Sequence, residues 1–266
     1  MATFTTTNAV GEREDLSDII YRIDPSETPL FTAAAKETTS GVTTEWQVQE
    51  LAAAVDTNHV NEGADYSYVN PTATTRLSNV HQIAAQAASV SNTLDVVDKA
   101  GRDRETAYVK VIKGLEQRRD IEKSLFKNEA KSASDPRKTA KLLTWLTNGD
   151  KPSDMGHATG DGSDTADLTG TARALTLAQI EAAIKEAYED GGSPSLLLMS
   201  PANKVAFSGL SSGSVATNQI TTTAPQEAAI VGSVSMFLSD FGTVEAVVDR
   251  QAPNSEMYVI DTDYVA

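Results

Sequence analysis

The sequence has no cysteine among its 266 residues. That absence excludes disulfide frameworks, thiolate nucleophiles and cysteine zinc sites. Histidine is nearly as scarce, with three in the whole chain, and neither an HExxH zinc motif nor a GxSxG nucleophile motif is present on a suitable predicted element. No apolar run approaches the roughly 18–20 residues that a bilayer span requires, and the first ten residues lack the basic start of a secretory signal. The sequence therefore gives no support for catalysis through these motifs.

Basic residues are also few. Lysine and arginine total 22 against 37 aspartates and glutamates, so the formal net charge is −15. This balance excludes a protein that grips nucleic acid through a basic face, because phosphate binding requires clustered lysine and arginine. The remaining composition, 40% hydrophobic and 22% charged, is typical of a globular chain and predicts a folded protein with a real core.

The first forty residues have the pattern of an extended arm. A short helical stripe is predicted at residues 16–23, and Pro25 and Pro29 are expected to end it. Residues 26–36 are predicted to be extended and then briefly helical through 33–35. Such a segment cannot bury both of its faces within its own chain, so we expect a neighbouring molecule to cover it.

A long two-stranded flap is predicted next. Polar and apolar residues alternate over Thr44–Gln49, and a second extended stretch is predicted over Arg76–Val90. Between them, Ala52–Thr75 contains three asparagines, one glycine and one proline, all of which favour turns. Hairpin loops in compact domains are mostly about 2–5 residues long. We therefore predict a projecting flap that packs on another molecule.

The middle of the chain contains the longest helical pattern, roughly residues 102–131, with apolar stripes that rotate around it. Residues 149–171 follow as a flexible loop without periodicity, and they mark the best internal boundary. The aspartates of this loop do not fit the spacing of an EF-hand calcium loop, so a solvated loop is the preferred interpretation.

The last hundred residues predict a compact α+β unit. Thr176 and Gln179 form a capping box at the start of a helix. Ser200 and Pro201 are the expected N-cap and first residue of a second helix, which disfavours the alternative of Ser200 as an esterase nucleophile. Strands are predicted at Leu196–Met199, Val234–Leu238, Val244–Val248 and Met257–Ile260.

Five stretches in order carry a family resemblance: DLSDIIYRIDPSETPLF (Asp15–Phe31), EWQVQEL (Glu45–Leu51), KLLTWLTN (Lys141–Asn148), SMFLSDFGTVEAVVDRQAP (Ser235–Pro253) and MYVIDTDYV (Met257–Val265). In these the chain resembles tailed-phage major capsid proteins of the Hong Kong ninety-seven fold. The resemblance is closest to the branch typified by the Salmonella-Escherichia siphophage capsids. It implies an α+β fold with an N-arm, an extended E-loop hairpin, a peripheral domain with a long spine helix, and an axial domain.

The resemblance also divides the chain. It implies an N-arm at 1–43, an E-loop at 44–90, a peripheral domain at 91–174 with its spine helix at about 102–131, and at 175–266 a mainly axial domain whose strands partly return to the peripheral domain. Hexamers and pentamers of this subunit would close into an icosahedral shell around double-stranded DNA, without sequence-specific binding. The expected partners are further copies of the chain, a portal, a separate scaffolding protein and decoration proteins. The expected location is the virion, after assembly in the cytoplasm of the host bacterium.

No catalytic, cofactor or metal site is predicted. Candidate contacts between subunits lie in the arm, the flap and the spine helix: Pro29, Phe31, Trp46, Asn58, Asn61, Tyr66, Tyr68, Arg118 and Arg119. Three of these residues have a competing interpretation. Trp46 has the pattern of a core anchor, and the two arginines can pair within the helix with Asp120 and Glu122.

The chain departs from the family at two points. Ala52–Thr75 contains no lysine, so a lysine–asparagine isopeptide link from the flap tip, as in the founding member, is not expected. Family members usually continue with further strand beyond the position of Ala266. The acidic balance predicts an inner lining that repels DNA.

Three other functions stay open at this point. An encapsulin-like nanocompartment protein shares this fold but encloses protein cargo. A phage tail or receptor-binding protein would also be rich in threonine and free of cysteine, although a long spine helix disfavours it. A hydrolase using Ser200 is the third, and the scarcity of histidine counts against it.

Overall fold

A computed structural model describes residues 17–66, 68–212 and 235–265. These residues divide into two compact units. The first unit comprises residues 17–27 and 84–120, and the second comprises residues 28–83 and 121–265. One helix, α3 (Glu105–Leu125), contributes residues to both units.

The first unit consists of an irregular segment, a short helix α2 (Asn92–Val96) and most of α3. The helical stripe predicted at 16–23 was wrong over its described residues, because 17–28 form neither helix nor strand. So short a stripe cannot supply the cost of helix nucleation by itself. The segment is held instead through its Asp18 side chain, whose carboxylate accepts a hydrogen bond from the Gly101 N–H at 2.5 Å.

Helix α3 is shorter than the predicted span of 102–131. The backbone groups beyond Leu125 form hydrogen bonds with other segments of the second unit, which explains why the helix ends early. The Lys131 N–H donates to the carbonyl of Gly162 at 2.8 Å, and the Lys141 N–H donates to the carbonyl of Glu129 at 3.1 Å. Tertiary hydrogen bonds therefore replace the helical bonds that the sequence pattern predicts.

The second unit begins with helix α1 (Pro29–Ala33) and a two-stranded antiparallel ribbon, β1 (Thr43–Val48) with β2 (Thr75–Val80). Proline is tolerated at the first position of a helix, so Pro29 begins α1 where the sequence predicted an extended segment. The second flap strand was predicted to continue to Val90 but ends at Val80. After it, the Gln82 N–H donates to Thr139 Oγ1 at 3.0 Å instead of continuing the ribbon.

The remainder of the second unit is built around a four-stranded sheet. Helices α4 (Leu177–Glu189) and α5 (Pro201–Ser212) accompany strands β3 (Leu196–Met199), β4 (Met236–Ser239), β5 (Gly242–Val248) and β6 (Met257–Ile260). The strand order is β4-β5-β3-β6, with β3 parallel to β5 and the other pairs antiparallel. Val234, the predicted first residue of the β4 strand, lies outside the described residues.

Strand β3 is buried on both faces and divides the core in two. Alternate side chains of a strand point to opposite faces. Leu196 and Leu198 pack with Leu30 of α1 and with Phe126, whereas the other two β3 side chains pack against α4 and α5. Helix α1 of the arm is therefore part of the core of the second unit.

Residues 149–171 contain no helix or strand. Their aspartates cap neighbouring backbone groups: Asp161 accepts from the Ser163 N–H at 2.8 Å, and Asp164 accepts from the Thr159 N–H at 2.9 Å. Hydrogen bonds from the Ser163 hydroxyl and N–H lower the pKa of Asp161 to about 2. These carboxylates order the segment through turns of the chain itself.

Candidate functional site

The base of the flap is fixed to the second unit by aromatic stacking. The ring centroids of Trp46 in β1 and Trp145 lie 5.3 Å apart, and Lys131 Nζ lies 5.9 Å from the Trp145 ring centroid. Across the ribbon, Glu45 pairs with Arg76. The base therefore has contacts within its own chain. Trp46 itself is 39% exposed, so it is not the core anchor that its pattern predicted.

The flap loop, residues 49–74, has no such support. It contains no helix or strand in its described part, and its apolar side chains face solvent. Leu51 is 95% exposed, Tyr66 80% and Tyr68 99%. The other exposed apolar side chains of the loop are Val55, Val60 and Val69. Lone exposed apolar residues are ordinary, but a series of them on one loop is a pattern typical of interaction surfaces.

A second exposed apolar series lies in the arm. Ile19 is 61% exposed, Tyr21 78% and Ile23 95%, all within the first unit. Residues 21–26 and helix α3 together line a cleft of about 530 Å³, whose apolar wall includes Tyr108, Ile112 and Leu115. The arm thus covers part of α3 while presenting its own apolar side chains outward.

The arm becomes firmly attached at α1. The two oxygens of the Glu122 carboxyl accept hydrogen bonds from the N–H groups of Leu30 and Phe31, both at 2.7 Å. Leu30 is 2% exposed, and the Ala35 N–H donates to the carbonyl of Val265 at 3.0 Å. The N–H groups of Leu30 and Phe31 belong to the first turn of α1, where a helix has no internal acceptors.

Glu122 is fully buried beside a second buried carboxyl, that of Asp249. Burial, together with the adjacent Asp249 carboxyl, raises the pKa of Glu122 to about 7, whereas the two backbone N–H groups act in the opposite direction. Sequence reasoning did not find this pair. Its two members are distant in the sequence, and neither belongs to a recognisable motif.

The family model described as SU10 major capsid protein matches residues 2–266. The chain belongs to the SU10 major capsid protein family. It is also similar to the major capsid protein of Escherichia phage Phieco32, with 30% identity over 129 residues. That match covers 48% of this chain and 37% of the phage protein, so the chain spans well under half of that relative's length. The prediction of a phage major capsid protein is confirmed, and the narrower Hong Kong ninety-seven branch stays a prediction.

The candidate contact residues occupy different environments in this capsid protein. Asn58, Asn61, Tyr66 and Tyr68 are exposed on the flap loop. Pro29 and Phe31 are half-buried in α1, where Lys36 Nζ lies 4.6 Å from the Phe31 ring centroid. The four loop residues thus share one exposed segment of the chain, whereas the two α1 residues are half-buried in the second unit.

The two arginines of the capsid protein lie on α3. Arg118 is exposed, and Arg119 is half-buried in the wall of the arm cleft. The sequence suggested that these arginines pair within the helix with Asp120 and Glu122. In the structure, both carboxyl groups accept hydrogen bonds from other residues. Asp120 accepts from Gln86 Nε2 at 2.5 Å, and Glu122 accepts from the arm backbone.

Catalytic and metal-binding alternatives find no support in the described residues. Ser200 is fully buried and its Oγ accepts a hydrogen bond from the Asn203 N–H at 3.2 Å, so it acts as the N-cap of α5. Within residues 17–66, 68–212 and 235–265, no group of three or more potential metal ligands comes together. None of the helices in those ranges is long and apolar enough to cross a bilayer. The family is one of structural proteins, in line with the expectation of a chain that is not an enzyme.

Proposed function

We propose that this chain builds an icosahedral phage shell of the Hong Kong ninety-seven type, in which hexamers and pentamers enclose double-stranded DNA. Membership of a major capsid protein family supports shell formation. The net charge of −15 supports a subunit that surrounds DNA rather than one that grips it. A portal and a separate scaffolding protein complete the proposed set of assembly partners.

The observation that carries the proposal is the exposure of apolar side chains on the flap loop and the arm. Residues such as Tyr68 and Ile23 are 99% and 95% exposed. Leaving so much apolar surface in water is unfavourable by roughly 25 cal/mol per Å², so a partner surface would stabilise it. In the proposed shell each flap loop lies over a neighbouring copy and each arm lies beneath another, so that many modest contacts act together.

Electron microscopy tests the proposal directly. We expect the expressed chain, together with its scaffolding protein, to give closed shells of tens of nanometres in negative stain. Particles from phage lysates should contain the chain as their most abundant protein and should hold nuclease-protected DNA. Trimers, open fibres or shells filled only with protein cargo would contradict the proposal.

The proposed shell should contain no covalent links between flap loops. Residues 52–75 contain no lysine, so the amine needed for an isopeptide bond to asparagine is absent from the loop. Denaturing gels and intact-mass spectrometry of boiled particles should show single subunits. Ladders of linked subunits would contradict this expectation, and particles treated with an amine-reactive cross-linker provide the positive control.

A further inference from the structure

Two fully buried carboxyl groups meet where the arm joins the second unit. Glu122 lies in the last turn of α3, and Asp249 directly follows β5. The Asp249 carboxyl lies against that of Glu122. Buried like charges repel one another strongly, so such a pair requires a compensating group.

The hydrogen bonds of the pair leave one oxygen without a donor. Both Glu122 oxygens accept from the arm, at Leu30 and Phe31. Asp249 Oδ1 accepts from the Gln251 N–H at 2.7 Å, but Oδ2 has no hydrogen-bond donor among the described residues. A proton on the facing Glu122 carboxyl would supply that donor and remove one of the two charges.

The nearby charged and titratable groups have hydrogen bonds to other residues or are exposed. Helix α1 contains no titratable side chain, and Lys141 Nζ donates to Gln82 Oε1 at 2.8 Å. On the β6 side, the Tyr258 hydroxyl donates to Glu256, and Arg250, which follows Asp249 in the sequence, is exposed. Among the ion pairs of the described residues, none includes Glu122 or Asp249.

We propose that Glu122 carries a proton that it donates to Asp249 Oδ2, and that this proton is a latch that fastens α1 of the arm to the core. With the proton in place, Glu122 holds both N–H groups of α1 and donates to Asp249 Oδ2. Without it, two carboxylates are buried against each other, and detachment of α1 lets water reach both. The latch rests on the proposed shell function for its role in assembly, where it would control when the arm is free to engage a neighbour.

The direction of the pH dependence follows from burial. The pKa of Glu122 is raised from 4.5 to about 7 in the attached state. A group whose pKa is higher in the attached state stabilises attachment fully at pH values below its pKa in the detached state. This stabilisation is lost as the pH rises through the pKa of the attached state. Arm attachment should therefore be strongest in acid and weakest above neutral pH.

Asp249→Asn tests the latch. The side-chain carbonyl of the introduced amide can still accept from the Gln251 N–H, while its NH₂ group donates permanently to an ionised Glu122. We expect hydrogen–deuterium exchange on the unassembled chain to show that protection of the Leu30 and Phe31 amides falls about tenfold between pH 6 and pH 8.5. In Asp249→Asn the protection should not change over that range after correction for intrinsic exchange.

Two further variants make the test decisive. Glu181→Gln removes an exposed carboxylate from α4 and should behave as the unsubstituted chain. Glu122→Gln cannot accept from both N–H groups, so protection at Leu30 and Phe31 should be low at every pH. Protection that is constant with pH in the unsubstituted chain, or that falls equally in Asp249→Asn, would overturn the latch. Neither result depends on shell formation, so failure of the latch and failure of the proposed function remain distinguishable.

Discussion

Deletion of the flap tip, residues 58–70, is expected to abolish shell formation and to leave a folded subunit. The deletion removes Tyr66, Tyr68 and Val69, which are 80%, 99% and 87% exposed and have little to stabilise within their own chain. It leaves the β1–β2 ribbon and the Trp46–Trp145 stack in place. Because each subunit of a closed shell loses the same contact, the loss is multiplied over the particle. Negative-stain microscopy and sedimentation should show subunits or small oligomers in place of shells.

A milder pair of variants separates the loss of contacts from the shortening of the chain. The single substitutions Tyr66→Ser and Tyr68→Ser keep the loop length, and each should lower the particle yield severalfold. Tyr264→Ser is the matched control, because Tyr264 is equally exposed, at 79%, but lies outside the flap and the arm. The melting temperature should be unchanged in all three variants. Normal particles from the deletion would refute the assembly role of the flap.

Leu30→Ala is expected to lower the free energy of unfolding of the second unit by about 3 kcal/mol. Leu30 is 2% exposed and packs with Phe126, Leu198 and Tyr258, so truncation leaves a cavity where the arm meets the sheet. Chemical denaturation should show the lower midpoint. Proteolysis of the segment around Lys36 should accelerate, because α1 has lost its apolar anchor.

The same substitution in the flap loop is the control. Leu51→Ala removes the same atoms from a side chain that is 95% exposed, so its stability should change by less than about 0.5 kcal/mol. If Leu51 contacts a neighbouring subunit, particle yield should fall although stability does not. Equal destabilisation by the two substitutions would contradict the assignment of Leu30 to the core and Leu51 to the interface.

Local patterns predicted those elements whose signals are complete within a few residues. The Thr176 N–H donates to Gln179 Oε1 at 2.8 Å, as the capping box requires. Ser200 caps α5, and the fully apolar run Leu196–Met199 is the buried strand at the middle of the sheet. In each of these cases the residues that decide the structure are neighbours in the sequence.

Predictions that depended on distant partners were less accurate. The pattern of α3 extends to about residue 131, but the carbonyl of Gly162 captures the Lys131 N–H and the helix ends at Leu125. The flap strand after Val80 gives way to hydrogen bonds with Thr139. The Glu122–Asp249 pair was invisible for the same reason, since an exposed helical glutamate and a buried one have the same local sequence signal.

The two-stranded ribbon limits how far the flap can act. Val48 and Thr75 are paired, so the loop of residues 49–74 begins and ends at the ribbon. The loop can therefore extend from the ribbon by at most half of its contour length. At about 3.3 Å per residue, that reach is at most roughly 43 Å. A compact domain of roughly 150–200 residues is about 40 Å across. A flap loop can therefore contact the adjoining copy but cannot reach past it to the next one. In a shell, each flap loop would position only its immediate neighbour.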